Sequence, residues 1–405
     1  MRLYRNLVFA TVDALGEIFN EGAYADKVIE KTLKRDKRWG ARDRSFIAET
    51  TYDIVRWKRL YSEIAEVKVP YSRENLFRLF AVWATLRGIE IPADWKQIEP
   101  VPTRRIKGKF DELSKIRKYR ESVPDWLDEM GVQELGEETW EKEIHALNEQ
   151  APVILRVNTL KTTKEKLQQE LQKEEIETEF LEGYPDALQL RERKNVFRTE
   201  AFKNGFFEVQ DASSQRVARF LGVEPGMRVV DTCAGAGGKS LHLAALMENK
   251  GQLIATDIYG NKLKELKRRA RRARAHNIEP RVIDSSKVVK KLYGSADRVL
   301  IDAPCSGLGV LSRNPDAKWK LQPEFIETIK QTQEEILKQY SKMVKGGGKM
   351  VYATCSVLPS ENEAQVKKFL ASEEGKDFSL AKDQKILSSE TGFDGFYMAL
   401  LEKKK

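Results

Sequence analysis

Leu300-Ile301-Asp302-Ala303-Pro304-Cys305-Ser306-Gly307 decides how the rest of the chain is read. The apolar, partly β-branched run from Val299 to Ile301 predicts a buried strand. It breaks off in an acid, a proline and a thiol. Proline has no N–H to give to a sheet ladder, so the strand stops there. Asp302 and Cys305 therefore fall on the turn leaving the strand's carboxyl end. In open α/β sheets ligands bind at that edge.

Working outward, strands are predicted over 228–231, 253–257, 282–284, 299–302, 349–354 and 396–401. Helices are predicted between them over 241–247, 261–275, 325–344 and 361–370. The alternation implies an α/β domain over 206–405, a Rossmann-like parallel sheet covered on both faces. Before it, strands over 152–159 and 176–181 flank a helix over 164–173, a small α+β segment assigned 144–205. Residues 1–143 read as an all-helical domain, with apolar residues such as Leu7, Val8, Thr11, Leu15 and Ile18 at helical spacing. No internal repeat is visible.

The chain of 405 residues is 33% charged and 41% hydrophobic, with a net charge of +9. That balance favours a polyanionic partner such as nucleic acid, although many globular proteins are mildly basic without one. Basic residues crowd Lys34 to Arg44 and Arg104 to Lys109, with Trp39 and Trp57 among or near them. Such interleaving suits RNA phosphates and stacked bases, and equally a solvated helical surface. There are three histidines, three cysteines and no Cys-x-x-Cys, which leaves little for a metal site or a disulfide framework. An odd number of free thiols fits a reducing cytoplasm. The first fifteen residues are amphipathic rather than continuously apolar, a poor signal peptide. No apolar run of about 20 residues predicts a membrane span.

Asp231-Thr232-Cys233-Ala234-Gly235-Ala236-Gly237-Gly238-Lys239-Ser240 joins the first strand of the large sheet to its helix. Glycines there allow a tight turn and close approach of backbone to a ligand. A phosphate loop fails, because Cys233 stands where its first glycine is required. Gly235-x-Gly237 partly fits a dinucleotide fingerprint. Asp257 falls 20 residues after Gly237 at a predicted strand end, where a carboxylate accepts bonds from ribose hydroxyls. Asp284 ends the next predicted strand and is placed to read an adenine edge. Either acid is also a plausible helix N-cap. Ribose and adenine are common to NAD and S-adenosylmethionine, so this region leaves the cofactor open.

The thiols narrow the choice. Cys233, Cys305 and Cys355 all fall at strand ends or glycine turns on one edge of the sheet. A lone free cysteine is ordinarily a small core hydrophobe; three at one edge suit a chemistry. Carbon 5 of cytosine is a poor nucleophile. A thiolate adding to carbon 6 makes carbon 5 enamine-like, an acid at ring nitrogen 3 stabilises the adduct, and a second group helps remove the carbon 5 proton. A thiol titrating near ~8.5 gains from a cation such as Lys239 beside it.

Several stretches then occur in a telling order: Gln210-Asp211-Ala212-Ser213-Ser214, the Gly237-Gly238-Lys239 turn, Asp302 to Gly307, Arg313-Asn314-Pro315-Asp316, Thr354-Cys355-Ser356, Glu361-Asn362-Glu363 and Phe393-Asp394-Gly395-Phe396. Over about residues 150 to 400 the chain resembles the Sun (Fmu, RsmB-type) family of RNA cytosine-5 methyltransferases. Its helical start is similar, more weakly, to a NusB-like RNA-binding domain. The resemblance implies that Cys355 is the nucleophile, that Cys305 assists proton removal and release, and that Asp302 and Lys239 position base and cofactor. It implies an S-adenosyl-L-methionine site built from Cys233, Ala234, Gly235, Ala236, Gly237, Gly238, Lys239, Asp257, Asp284 and Asp302. Gly235-Ala236 departs from the Ala-Pro of the family turn, which implies a looser turn. The reading is an RNA (cytosine-5)-methyltransferase acting on 16S ribosomal RNA in the cytoplasm, without metal or membrane, as a monomer, with 144–205 as an RNA-binding linker. Alternatives are a transfer-RNA methyltransferase, a non-catalytic RNA-binding ribosome assembly factor, and a small-molecule or protein methyltransferase, which has no need of two thiols at this edge.

Overall fold

The computed structural model describes residues 2–92, 94, 95 and 102–405. By contacts the chain forms two compact units, one of residues 1–149 with 311–323, the other of 150–310 with 324–405.

The first unit is helical. Arg5–Asn20, Ala41–Arg56 and Arg73–Leu86 enclose a core that includes Val8, Val12, Leu15, Ile54, Val55, Leu79 and Phe80. Ser72 caps the third of these by accepting from the Asn75 N–H at 3.1 Å. The segment 311–323 completes this unit. Trp319 Nε1 donates to the Val55 carbonyl at 2.7 Å, and the fully buried Lys318 donates to Asn148 Oδ1 at 3.0 Å. Burial drives the Lys318 ammonium well below its usual pKa, with Arg56 adding to the effect and Glu121 opposing it. Trp39 packs beside the cluster of Leu7, Ala10 and Ile47, and Trp57 packs against the main core. Both are half-buried aromatics packed against the core.

In the second unit, a four-stranded antiparallel sheet comes first: β1 (Ile154–Val157), β2 (Thr178–Phe180), β3 (Ala187–Leu190) and β4 (Phe207–Val209), in the order β2-β3-β1-β4. The seven-stranded sheet follows: β5 (Arg228–Asp231), β6 (Gln252–Asp257), β7 (Ile278–Val282), β8 (Ala296–Asp302), β9 (Val344–Thr354), β10 (Phe378–Ile386) and β11 (Phe396–Lys403). Its order is β10-β11-β9-β8-β5-β6-β7. Strands β9, β8, β5, β6 and β7 are parallel, whereas β11 runs antiparallel to both neighbours. The sheet is therefore mixed at one edge. Two strands joined without a long crossover pair antiparallel there, where the sequence pattern implied parallel pairing throughout.

The continuous apolar run in β8 serves two cores. Leu300 packs with Leu253, Val351 and Met398 on one face, and Val299 and Ile301 pack with Ile254, Tyr352 and Phe369 on the other. Three strands escaped the sequence reading. β3 and β4 are four and three residues long. β10 is an edge strand whose Lys382, Asp383 and Lys385 read as a loop. β7 lies over 278–282 rather than 282–284. Asp284 is thus an exposed residue two positions beyond a strand end, where its Oδ1 accepts from Ser285 Oγ at 3.1 Å.

Candidate active site

Between β5 and β8 the chain switches direction across the sheet, and their carboxyl ends carry Asp231 and Asp302. Such a switch point opens a crevice for ligands. The Gly238–Leu246 helix starts from the glycine turn beyond β5. Gly237 holds φ +87°, and a Cβ there would lie 2.6 Å from Leu266, so only glycine fits. A Cβ on Gly235 would meet nothing within 4 Å. The turn's rim there is open on the side a ligand would approach.

The turn is held from behind. Arg269 Nη1 donates to the Ala236 carbonyl at 3.0 Å, and the buried Arg156 donates to the Gly238 carbonyl and to Gln210 Oε1. These bonds supply restraint at the place where Gly235-Ala236 was expected to loosen the turn. Burial, opposed by Glu208, lowers the Arg156 guanidinium to about 10, so it stays a cation at neutral pH.

Asp257 ends β6. Its Oδ2 accepts the Gly235 N–H and its Oδ1 the Tyr259 N–H, both at 2.8 Å. Immediately after it, Ile258 and Tyr259 are exposed large side chains beyond the carboxyl end of β6, a feature the sequence reading missed. Asp231 is fully buried. Its Oδ2 accepts from Ser240 Oγ at 2.7 Å, and its Oδ1 meets no partner among the described residues. Burial, with Asp302 adding and Ser240 opposing, raises its carboxyl to about 7.

Lys239 Nζ lies 2.7 Å from Asp302 Oδ2 and 5.3 Å from the centre of the Phe396 ring. Burial works to lower this ammonium, but Asp302, with Cys355 and Asp231 beyond it, carries the net shift upward. The Sγ atoms of Cys305 and Cys355 stand 3.4 Å apart. The bond to Cys355, then burial, raise the Cys305 thiol well above its usual value. The third thiol differs. Cys233 packs into the apolar core, where burial raises its pKa, and it takes no part in the pair.

Glu361 was quoted in the sequence without a role, and the structure supplies one. It is fully buried. Its Oε1 accepts from Ser306 Oγ and Ser356 Oγ, each at 2.5 Å. Its Oε2 accepts from the Ser306 N–H at 2.8 Å and Gln333 Nε2 at 2.9 Å. Ser306 follows Cys305 and Ser356 follows Cys355, so one carboxylate ties both thiol-bearing loops together. Gly309 completes the stitch. Its N–H donates to the Cys355 carbonyl at 2.9 Å, its carbonyl accepts from Gly395 N at 2.7 Å, and a Cβ on it would lie 2.2 Å from the Gly395 oxygen.

The structure therefore brings together Lys239, Asp302, Cys305 and Cys355, with Asp231 and the glycine turn beside them. Asp257 stands at the neighbouring strand end. Cys233 is half-buried against the apolar core, and Asp284 is exposed.

The basic helix Gly260–Ala273 divides into two sets of side chains. Glu208 of β4, itself buried, takes Arg269 at 3.0 Å and also Arg272. Arg272 additionally lies 3.9 Å over the Phe202 ring. These two arginines tie the basic helix to the small sheet. Lys264, Lys267, Arg271 and Arg274 remain exposed.

Known proteins resemble this chain over most of its length. A family model described as 16S rRNA methyltransferase RsmB/F matches residues 218–402, and one for an RsmF/B-like ferredoxin-like domain matches 123–197. The "Probable ribosomal RNA small subunit methyltransferase B" of Synechocystis sp. is 31% identical over 436 residues, covering 96% of this chain and 97% of that protein. The ribosomal RNA small subunit methyltransferase B of Proteus mirabilis is 34% identical over 291 residues, covering 69% of this chain and 66% of that protein. The crystal structure of PH0851 covers all of both chains at 27% identity with a TM-score of 0.83.

Proposed function

The chain belongs to the RsmB/F family of S-adenosylmethionine-dependent RNA methyltransferases, and on that premise we propose that it methylates carbon 5 of a cytosine in 16S ribosomal RNA through a covalent adduct to Cys355. The observation that carries the reading is the 3.4 Å thiol pair beside the Lys239–Asp302 ion pair. Methylation at an exocyclic amine or a ribose hydroxyl needs no nucleophilic thiol, and two facing thiols supply covalent attack followed by release.

The residues fit the cofactor. S-adenosylmethionine is a cation with ribose hydroxyl donors, and the crevice offers the carboxylates Asp231, Asp257 and Asp302 around an open glycine rim. Asp257 takes the ribose diol, the Cys233 to Lys239 turn holds the methionine portion, and exposed Ile258 and Tyr259 offer an apolar face to the adenine. When bound, the cofactor supplies an electrophilic methyl group.

The protein's own groups do the rest. Cys355 gives up its thiol proton to solvent, and its thiolate adds to carbon 6 of the base. The proton held by the Lys239–Asp302 pair bonds ring nitrogen 3 and takes up the charge developing there. Carbon 5 is then nucleophilic and accepts the methyl group. Cys305, once its own proton has passed to solvent, takes the carbon 5 proton as the 5,6 double bond re-forms; the Cys355–carbon 6 bond breaks with its electron pair returning to the Cys355 sulfur, and nitrogen 3 gives its proton back to the Lys239–Asp302 pair. Glu361 keeps the two sulfurs at working distance.

The test is to incubate the chain and S-adenosylmethionine with 16S ribosomal RNA and, separately, transfer RNA, and to map 5-methylcytosine by bisulfite sequencing. New 5-methylcytosine in 16S RNA is the expected result. Methyl transfer to another atom sinks the carbon 5 assignment, and methylation of transfer RNA alone sinks the substrate assignment.

A further inference from the structure

Away from the thiol pair, a cleft of about 280 Å³ opens between the β2–β3 connection, the Ala212–Phe220 helix and edge strand β10. Its walls combine cations with aromatic faces. The Arg216 guanidinium lies 4.5 Å over the Tyr184 ring, and Lys382 Nζ lies 4.4 Å over the Phe220 ring. Neither cation meets a carboxylate among the described residues. The one acid lining the cleft, Asp186, is already engaged: Arg219 bonds both of its oxygens at 2.7 Å, and His242 Nε2 bonds Oδ2 at 2.9 Å. The local field is therefore positive.

The cleft also presents unmet hydrogen-bonding groups. Gln215 Oε1 and Arg216 Nε are both buried atoms with no partner among the described residues, and both residues line it. Native structures seldom leave a buried acceptor and a buried donor unmet side by side, which points to a ligand that carries both kinds of group. The wall is also continuous with the active-site loops. Tyr184 packs edge-on against Phe393 at 5.3 Å, and Gly395, two residues on, bonds Gly309, which bonds Cys355.

We propose that this cleft holds one unpaired nucleotide of the RNA flanking the target cytosine, an inference that rests on the RNA methyltransferase reading. The phosphate lies between Arg216 and Lys382. The base stacks on the outer face of the Arg216 guanidinium, whose inner face already rests on Tyr184. Guanidinium planes take stacked bases as aromatic rings do, and single-stranded RNA exposes both base face and phosphate. Gln215 and Gln384 stand at the rim to meet a base edge.

The test compares the intact chain with Arg216→Glu, Lys382→Glu and Arg216→Lys, using 16S ribosomal RNA and labelled S-adenosylmethionine. Both charge reversals are expected to raise KM for RNA about tenfold with kcat retained. Arg216→Lys keeps the phosphate contact and loses the stacking plane, so it falls between wild type and Arg216→Glu. Calorimetric S-adenosylmethionine affinity equal to wild type shows that the variants are folded. Folded variants with unchanged KM overturn the cleft's role while leaving the methyltransferase reading intact. A wild-type chain that transfers no methyl group to RNA overturns that reading and the subsite with it.

Discussion

Cys305 and Cys355 face each other sulfur to sulfur at 3.4 Å across 50 residues of chain, and the contact, with burial, raises the Cys305 thiol above its usual pKa. The asymmetry distinguishes their tasks. Cys355→Ala removes the group that attacks carbon 6, so no adduct forms and methyl transfer is lost. Cys305→Ala leaves the attack but not the release, so enzyme and RNA should remain joined through denaturing electrophoresis. A stable complex with Cys355→Ala and none with Cys305→Ala would reverse the two roles.

Glu361 gives a second prediction. Replacing it with Gln leaves the shape and removes the charge that accepts from Ser306 and Ser356. The sulfurs then lose their common anchor, and misplacement by about an ångström costs roughly 100-fold in rate. The single-turnover rate should fall by that order while affinity for S-adenosylmethionine stays near wild type. Equal losses in both would mark Glu361 as a general fold determinant instead.

Asp257 bonds two backbone N–H groups and has lone pairs to spare for a ribose diol. Asp257→Ala should weaken S-adenosylmethionine binding by about 1.5–3 kcal/mol, roughly 10- to 150-fold. Isothermal calorimetry reads this directly, and an unchanged Kd removes Asp257 from the cofactor site.

The basic helix makes a paired prediction. Arg269→Ala combined with Arg272→Ala strands the buried Glu208 and should cost about 3 kcal/mol of stability in urea melts. Arg271→Glu with Arg274→Glu should leave stability within about 0.5 kcal/mol but lower the dependence of RNA binding on salt. If the second pair leaves the salt slope untouched, those arginines only solvate the helix.

His242 is fully buried beside Asp186, and burial lowers its pKa from 6.5 to about 4, with Asp186 opposing. Between those values the unfolded chain binds a proton that the folded chain refuses. The stability this contributes is fully present above about pH 6.5 and is lost as pH falls toward 4, at roughly 1 kcal/mol per pH unit. Denaturation midpoints at pH 7 and pH 5 should therefore differ more for wild type than for His242→Gln. Equal differences would show that the ring already titrates in the folded state.

The parts of the site that lie at strand ends were legible in the sequence, because a strand that stops at Asp302 or Thr354 announces its own edge. Lys239, Cys305 and Cys355 followed from that. What stayed hidden depends on partners far away in the chain. Glu361 reaches Ser306 across 55 residues, and Glu208 claims Arg269 and Arg272 across 61 and 64. A charge run looks uniform until the fold supplies a buried acid to part of it. The end of β7 was misplaced for a different reason: the strand is partly exposed and weakly patterned, so Asp284 lies two residues beyond it.

The segment 311–323 packs with residues 1–149 although the chain on either side of it builds the other unit. Modularity here is a property of space and not of the gene. No single cut in the coding sequence separates the units, and an exchange at residue 149 alone would leave Lys318 and Trp319 without the Asn148 and Val55 groups that receive them. A working chimaera must recombine at three points, near residues 149, 310 and 323.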